Sequence, residues 1–270
     1  MTAIDDPTLL LDRTGAVLWI RVNRPDARNA IDPDTRDAMI AALTEADGDV
    51  EVRAIVITGQ GRDFCTGMDL TPPSNPNQAI SHGIAPVDYW RYVGAHQRLY
   101  QTLWELETPV VSAVNGTTAG AGWMLALLAD LVVAAEGARW THVFARRGMV
   151  PHCGDPFFLP RIIPFHRLNE IAFLSDTLTS ETLAEWGLLN RVVPADQVES
   201  TTAELANRLA EGPTRTLGLT KRLYRRSLVS DMATSFGEEA TATALVSQTN
   251  DRLEGVKSLL EGRPPNFTGT

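Results

Sequence analysis

Apolar runs of five or six residues recur along the first half of the chain, separated by amphipathic stretches. The runs that predict buried strands are residues 17–22, 54–58, 110–114 and 131–135. After the first run, Asp32 and Pro33 form a typical helix start, and the apolar positions that follow recur at helical spacing. Strands that alternate with helices build parallel sheets. The pattern therefore predicts an α/β fold.

The pattern changes after Pro164, where helix follows helix. Only residues 191–193 resemble a strand there, whereas residues 195–209, 217–228 and 236–260 show helical periodicity. A helical tail of this kind often packs against a neighbouring subunit. The sequence therefore also predicts an oligomer.

Two glycine-rich segments follow two of the predicted strands. Residues 61–70 read GRDFCTGMDL, and residues 115–123 read NGTTAGAGW. One backbone N–H from each segment is able to converge on a single developing negative charge, as in an oxyanion hole. Each segment alone also fits a tight strand-to-helix turn, and a dinucleotide-binding loop is disfavoured because no GxGxxG follows a strand in the required register. The pair predicts chemistry through a thioester enolate.

Charge and composition narrow the classes of partner. The 270 residues carry a formal net charge of −9, so nonspecific binding to nucleic acid or to an anionic membrane is disfavoured. The chain has only two cysteines, Cys65 and Cys153, and no HExxH, CxxC, GxSxG or GxxxxGK[ST] motif. The N-terminal residues lack a secretory pattern, and the longest apolar stretch, 123–129, is too short for a bilayer. We expect a cytoplasmic protein with no metal site.

Several segments resemble one protein family, in order along the chain. They are residues 23–30 (NRPDARNA), 52–59 (VRAIVITG), 64–70 (FCTGMDL), 113–116 (AVNG), 178–193 (LTSETLAEWGLLNRVV) and 263–269 (RPPNFTG). Together they resemble the crotonase (enoyl-CoA hydratase/isomerase) superfamily of acyl-CoA and fatty acid metabolism. Residues 148–161 are most similar to its epoxyphenylacetyl-CoA isomerase branch.

The resemblance implies an architecture and a ligand. The core, over residues 1–195, is expected to be a crotonase-like spiral of strand-strand-helix turns, and residues 196–270 a helical C-terminal oligomerisation region. Homotrimers or homohexamers are implied, with an acyl-CoA thioester as the ligand. Coenzyme A is then part of the substrate, and no separate cofactor is expected.

Mapped residue by residue, the family's two oxyanion donors fall on the backbone N–H groups of Met68 and Ala121. A helix beginning near Gly120 would add the partial positive charge of its N-terminus. Gly67 and Gly120 permit the thioester to approach the backbone closely. Side-chain identity matters little for a backbone donor, so a methionine is acceptable at position 68.

The same mapping places CoA along Arg28, Ala30 and the segment that contains Asp69 and Leu70. A basic set at helical spacing fits either the CoA phosphates or a solvated helix face. Its members are Lys221, Arg222, Arg225 and Arg226. Residues 71–86 are rich in Pro, Asn and Ser and fit either a flap over the site or a plain surface loop.

This chain departs from the hydratases at the residues that deliver water. The two positions that hold glutamates in the hydratases are Met124 and Phe144 here, so two-carboxylate hydration is disfavoured. The isomerase branches have an aspartate where this chain has His152, whose ordinary pKa of about 6.5 suits a general acid or base. Asp155 is expected either to orient the imidazole of His152 or to act itself. The alternative is that His152 is only a polar loop residue.

The sequence thus favours an acyl-CoA enzyme that stabilises a thioester enolate, with isomerisation ranked above hydration. Decarboxylation or lyase-type cleavage of a β-keto or malonyl-type thioester also needs little beyond an oxyanion hole and one proton donor. The alternative from another class is a catalytically silent acyl-CoA-binding protein, which keeps the pocket and lacks the proton shuttle.

Overall fold

The computed structural model describes residues 7–70 and 86–270, and the predicted flap lies outside the described residues except for Pro86. Ten strands in the described residues form two sheets. In spatial order, the larger sheet contains β1 (Leu9–Thr14), β2 (Val17–Val22), β3 (Ala54–Gly59), β5 (Val110–Val114), β7 (Leu131–Ala135) and β10 (Arg191–Val193). The smaller sheet contains β4 (Asp63–Cys65), β6 (Thr117–Ala119), β8 (Arg139–Thr141) and β9 (Thr177–Thr179).

Pairing is mostly parallel in both sheets. In the larger sheet β2, β3, β5, β7 and β10 are parallel to their neighbours, and β1 runs antiparallel to β2. In the smaller sheet β4, β6 and β8 are parallel, and β9 runs antiparallel to β8. Parallel strands need crossover connections, and helices supply most of them. The predicted α/β fold is confirmed.

The described residues also form ten α-helices. They are α1 (Pro33–Gly48), α2 (Pro86–Glu105), α3 (Ala121–Leu127), α4 (Asp155–Ile162), α5 (Phe165–Leu174), α6 (Ser180–Glu185), α7 (Val198–Ala210), α8 (Thr214–Ser227), α9 (Met232–Val246) and α10 (Asn250–Glu261). Short 3-10 turns occur at Pro25–Ala27, Ala145–Arg147 and Ala195–Gln197.

Side-chain caps explain where two of the helices begin. As the sequence predicts, Asp32 caps α1 and accepts a hydrogen bond from the Thr35 amide at 2.8 Å, with proline at the first helical position. The helical periodicity predicted over residues 236–260 is divided between two helices, because α9 ends at Val246. Thr249 then starts α10 by accepting from the Arg252 amide at 3.1 Å.

Alternate side chains of the larger sheet pack into two hydrophobic clusters, as expected for a sheet covered on both faces. Leu18, Ile20 and Ile55 belong to the cluster that also contains residues of α1, α2 and α3. Val17 and Val56 belong to the other, which α7 completes. The predicted division at residue 195 stays a prediction, and α7, just after it, packs directly on the sheet.

Two further features of residues 7–70 and 86–270 bear on function. No helix there is long and apolar enough to cross a membrane, and no group of three His, Cys, Asp or Glu residues there is arranged to hold a metal ion. Cys65 and Cys153 are both free and buried.

Candidate active site

The smaller sheet brings the two glycine-rich segments side by side. β4 lies within the first segment and β6 within the second, and the two strands pair in parallel through Asp63 with Thr117 and Cys65 with Thr118. Beyond these strands the chain turns at Gly67, with φ +93°, and at Gly120, with φ +54°. Both turns use left-handed backbone that L side chains rarely adopt. α3 begins directly after the second turn.

The two segments touch so closely that side chains are excluded between them. A Cβ atom on Gly67 would lie 2.9 Å from the carbonyl oxygen of Ala119 and 3.1 Å from the amide nitrogen of Ala121. A Cβ atom on Gly122 would lie 2.2 Å from the carbonyl oxygen of Cys65. Glycine at these positions is therefore a packing requirement, and it holds the two backbones together.

The amides of Met68 and Ala121 have no acceptor among the described residues, 7–70 and 86–270. Met68 forms an isolated parallel β-bridge with Ile31. The amide of Ile31 donates to the carbonyl of Gly67 and the amide of Asp69 donates to the carbonyl of Ile31, so the bridge gives the Met68 amide no acceptor. Ala121 is the first residue of α3, where an N–H has no partner within the helix. Two backbone donors are thus left over, one from each segment.

Both donors belong to residues that line one pocket with about 280 Å³ of empty space, its mouth included. The ten lining residues are Gly67, Met68, Leu70, Gly120, Ala121, Val143, Phe144, Arg147, Met149 and His152. The structure therefore brings the predicted donors and the predicted acid/base together, along with Gly67, Leu70 and Gly120. The residues that carry both predicted donors therefore line one pocket.

His152 is held in one orientation at the pocket. Its Nδ1 lies 3.2 Å from the carbonyl oxygen of Val150, and its Nε2 lies 3.0 Å from the sulfur of Met68. Both neighbours only accept, so the neutral ring donates to one of them. We assign its proton to Nδ1, because a carbonyl is a stronger acceptor than a thioether, and Nε2 then keeps its lone pair. Burial lowers the pKa of His152 despite the opposing effects of Val150 and Asp155. The neutral form is therefore favoured at pH 7.

Asp155 has a different partner from the expected one. Its Oδ2 lies 2.7 Å from Nε2 of His142, and both side chains are buried. The expectation that Asp155 orients His152 by a hydrogen bond is therefore corrected. Phe144 stands between the two histidines, with ring centroids 4.9 Å from each. Sequence reasoning missed His142 because a contact across 13 residues has no signature in local spacing.

The two positions onto which the resemblance maps the hydratase glutamates are apolar and buried. Phe144 lines the pocket. Met124 is fully buried in the larger hydrophobic cluster. Neither side chain orients a water molecule by hydrogen bonding.

Three residues predicted to contact CoA make contacts within the fold. Arg28 forms a two-pronged ion pair with Asp63, at 3.2 and 3.1 Å, while 50% of its side chain stays exposed. The carbonyl of Ala30 accepts from Arg24. Asp69 is buried and lies 2.8 Å from the same Arg24. Their predicted roles toward CoA stay predictions.

Lys221 lies at the other end of the larger sheet from the pocket. Its Nζ donates to the carbonyl of Thr108 at 2.9 Å and to Asp130 at 2.7 Å, beside the start of β5, whereas the glycine-rich segment follows the end of β5. Asp130 also pairs with Arg225 at 3.0 Å. Burial lowers the pKa of Lys221 to about 8. The charge of Lys221 is thus paired inside the fold, and its predicted contact with CoA stays a prediction.

Comparison with known proteins gives one consistent answer. A sequence model of the enoyl-CoA hydratase/isomerase family matches residues 12–270. The chain is 33% identical over 253 residues to the 1,2-epoxyphenylacetyl-CoA isomerase of Escherichia coli, covering 94% of this chain and 95% of that one. It is 35% identical over 250 residues to a probable enoyl-CoA hydratase of Rhodobacter capsulatus, covering 93% of each.

A solved structure agrees with these relatives. The crystal structure of a putative enoyl-CoA hydratase from Streptomyces coelicolor superimposes with a TM-score of 0.90 at 27% identity, covering 100% of this chain and 98% of that one.

His96, on α2, is a buried group that the sequence did not single out, with 1% of its surface exposed. Burial lowers its pKa to about 4, and the charges of Arg36 and His152 act in the same direction. Asp37 and Asp32 oppose this shift. The folded protein therefore keeps His96 neutral at pH values where an unfolded chain would protonate it.

Stability is expected to fall as the pH decreases below about 6.5, the ordinary pKa of histidine. Between that value and about 4, the unfolded state binds a proton at His96 that the folded state does not. From pH 7.5 to pH 5, the parent should lose about 2 kcal/mol more unfolding free energy than His96→Gln. Urea denaturation of both proteins at both pH values, at one protein concentration, measures this. Equal losses of unfolding free energy in the two proteins would show that His96 is not the source of the pH dependence.

Proposed function

The chain belongs to the enoyl-CoA hydratase/isomerase family, and from that premise we propose that it stabilises the enolate of an acyl-CoA thioester. The family match covers residues 12–270, so the resemblance and the crotonase-type fold expected from the sequence are confirmed. The protein is an acyl-CoA enzyme of this family. The reaction and the residues that carry it form the proposal.

One observation carries the proposal: the unused amides of Met68 and Ala121 belong to residues that line the same pocket. When a proton leaves the carbon next to a thioester, negative charge accumulates on the carbonyl oxygen. Two fixed N–H donors stabilise that charge without reorganising, and the first turn of α3 adds partial positive charge. The substrate itself contains CoA, so this step requires no further cofactor.

His152 is proposed to move the proton. Its Nε2 lone pair removes a proton from one carbon of the acyl chain, the electron pair enters the enolate, and the imidazolium returns the proton to another carbon. No atom is gained or lost, so the net reaction is isomerisation. Met124 and Phe144 provide no group to activate water, which is why isomerisation ranks above hydration. The same parts would serve decarboxylation or cleavage of a β-keto or malonyl-type thioester.

A second candidate is a catalytically silent acyl-CoA-binding protein. It is favoured by the contact of 3.0 Å between Nε2 of His152 and the sulfur of Met68, which occupies the atom that must receive the proton. Unless this contact opens when the ester binds, the pocket holds a thioester without turning it over. Both candidates predict binding of CoA esters, and turnover separates them.

Turnover should depend on His152. The parent is expected to convert at least one member of a panel of enoyl-, β-keto- and malonyl-type CoA esters, as followed by chromatography. His152→Gln should lower kcat by about a hundredfold or more, because a general acid/base typically contributes that much. Binding of the unconverted ester should be retained. No product from any ester with the parent would favour the silent binding protein, and unchanged turnover in the variant would remove His152 as the shuttle.

Replacing Ala121 by proline removes the backbone N–H and keeps a side chain at this position. Ala121→Pro lacks the N–H yet suits the first position of a helix, whereas Ala121→Gly keeps the N–H. The proline variant should lose about a hundredfold or more in kcat, as when one oxyanion donor is removed. The glycine variant should stay within a few-fold of the parent. Circular dichroism and thermal melting check that both are folded, and equal activity in folded variants would refute the oxyanion role.

We also propose that the chain acts as a homotrimer or a dimer of trimers, in the cytoplasm. The C-terminal helices expose large apolar side chains, and on α10 Leu253, Val256 and Leu260 recur at i, i+3 and i+7 on one face. Exposed apolar stripes of this kind mark protein interfaces. The two buried thiols are compatible with a reducing compartment.

Light scattering during size-exclusion chromatography should give about three or six times the chain mass of 29.5 kDa, as expected for a trimer or a dimer of trimers. Leu260→Glu, at a side chain that is 82% exposed, should shift the protein toward monomer by placing a charge in the interface. Val50→Glu, at an apolar residue that is 69% exposed outside the C-terminal helices, is the matched control and should leave the mass unchanged. A monomeric or dimeric parent at micromolar concentration would contradict the proposed assembly.

A further inference from the structure

Arg147 is the lone side chain with a permanent charge among the ten residues that line the pocket. It ends the 3-10 turn Ala145–Arg147 that follows β8, and the left-handed backbone of Gly148 completes this turn. Met68 and Ala121, the proposed donors, line the same pocket. The permanent positive charge of Arg147 thus lies at the pocket that would receive the thioester carbonyl.

The charge of Arg147 has no anionic partner in the fold. Within residues 7–70 and 86–270, no carboxylate or carbonyl accepts from its guanidinium. The segment 71–85, which borders the lining residue Leu70 in sequence, contains no aspartate or glutamate. Although Arg147 is exposed, partial burial lowers its pKa. An arginine that is partly desolvated and unpaired is suited to bind an anionic ligand.

The rest of the pocket gives a carboxylate few other partners. Apolar lining is provided by Leu70, Val143, Phe144 and Met149. His152 is held neutral by burial, and its Nε2 faces the sulfur of Met68. A carboxylate in this pocket would therefore depend on Arg147 for its charge-assisted hydrogen bonds.

We propose that Arg147 selects acyl-CoA substrates whose acyl group carries a carboxylate. This inference rests on the proposed function, because it assumes that the thioester lies against the amides of Met68 and Ala121. The CoA phosphates are an unsuitable partner, since the whole pantetheine arm separates them from the thioester. The acyl group is attached directly to the carbonyl carbon, so its own carboxylate is within reach of the same small pocket. Arginine binds carboxylates through two parallel N–H donors.

The test compares two CoA esters that have four acyl carbons each and differ in charge. Succinyl-CoA carries a carboxylate at the end of the chain, and butyryl-CoA carries a methyl group. Calorimetric titration of the parent should show tighter binding of succinyl-CoA, by about tenfold or more, as expected for a charge-assisted pair. Arg147→Gln should remove this preference by weakening succinyl-CoA alone.

Arg146→Gln is the matched control, because it removes the same charge from the same turn at a residue that does not line the pocket. It should bind both esters as the parent does, and melting curves should show that both variants are folded. Equal weakening of both esters by Arg147→Gln, or a parent that prefers butyryl-CoA, would overturn the proposal. Binding of butyryl-CoA alone would overturn the charge selection and leave the proposed function intact. If neither ester binds the parent, the proposed function fails together with this inference.

Discussion

The candidate site depends on the contact between two backbones that leave no room for side chains. Gly122 of α3 lies against the carbonyl of Cys65 in β4, and Gly67 lies against the amide of Ala121. The parallel pairing of β4 with β6 sets this contact, and the larger sheet fixes where each segment starts, since β3 and β5 are neighbours in it. The pocket is therefore a consequence of sheet register as well as of local sequence.

The sequence predicted the elements whose pattern is long enough to be periodic, and it predicted the two glycine-rich segments as partners. It did not predict β1, in which only Leu9 is buried. It also did not predict β4, β6, β8 or β9, whose three residues are too short to show alternation, although β10 was predicted at the same length. Local spacing alone pairs Asp155 with His152, three residues before it. Its actual partner, His142, directly follows β8, and the tertiary fold brings the first residue of α4 to it.

The basic residues of α8 are a second case in which local spacing does not identify the partner of a charged side chain. Their spacing fits a solvated face or a phosphate site equally well, because both need only a helix surface. In the structure Lys221 and Arg225 both pair with Asp130 instead. The same carboxylate also accepts a hydrogen bond from the amide of Val110, the first residue of β5. Arg147 is the converse case: nothing in its local pattern distinguishes it from Arg146. Its importance follows from which of the two lines the pocket.

Met68 connects the proposed functions of the pocket through one residue. Its amide is a proposed donor to the thioester oxygen, and its sulfur lies 3.0 Å from the nitrogen of His152 that would take the proton. Thioether sulfur is polarisable and belongs to a flexible side chain. It is therefore able to shield the imidazole from water and to move aside when an acyl group binds. A carboxylate at position 144, which lines the pocket, would instead hold water there. The apolar side chain of Phe144 in the pocket and the contact of Met68 with His152 both support the proposed isomerisation, in which a proton moves between carbons away from water.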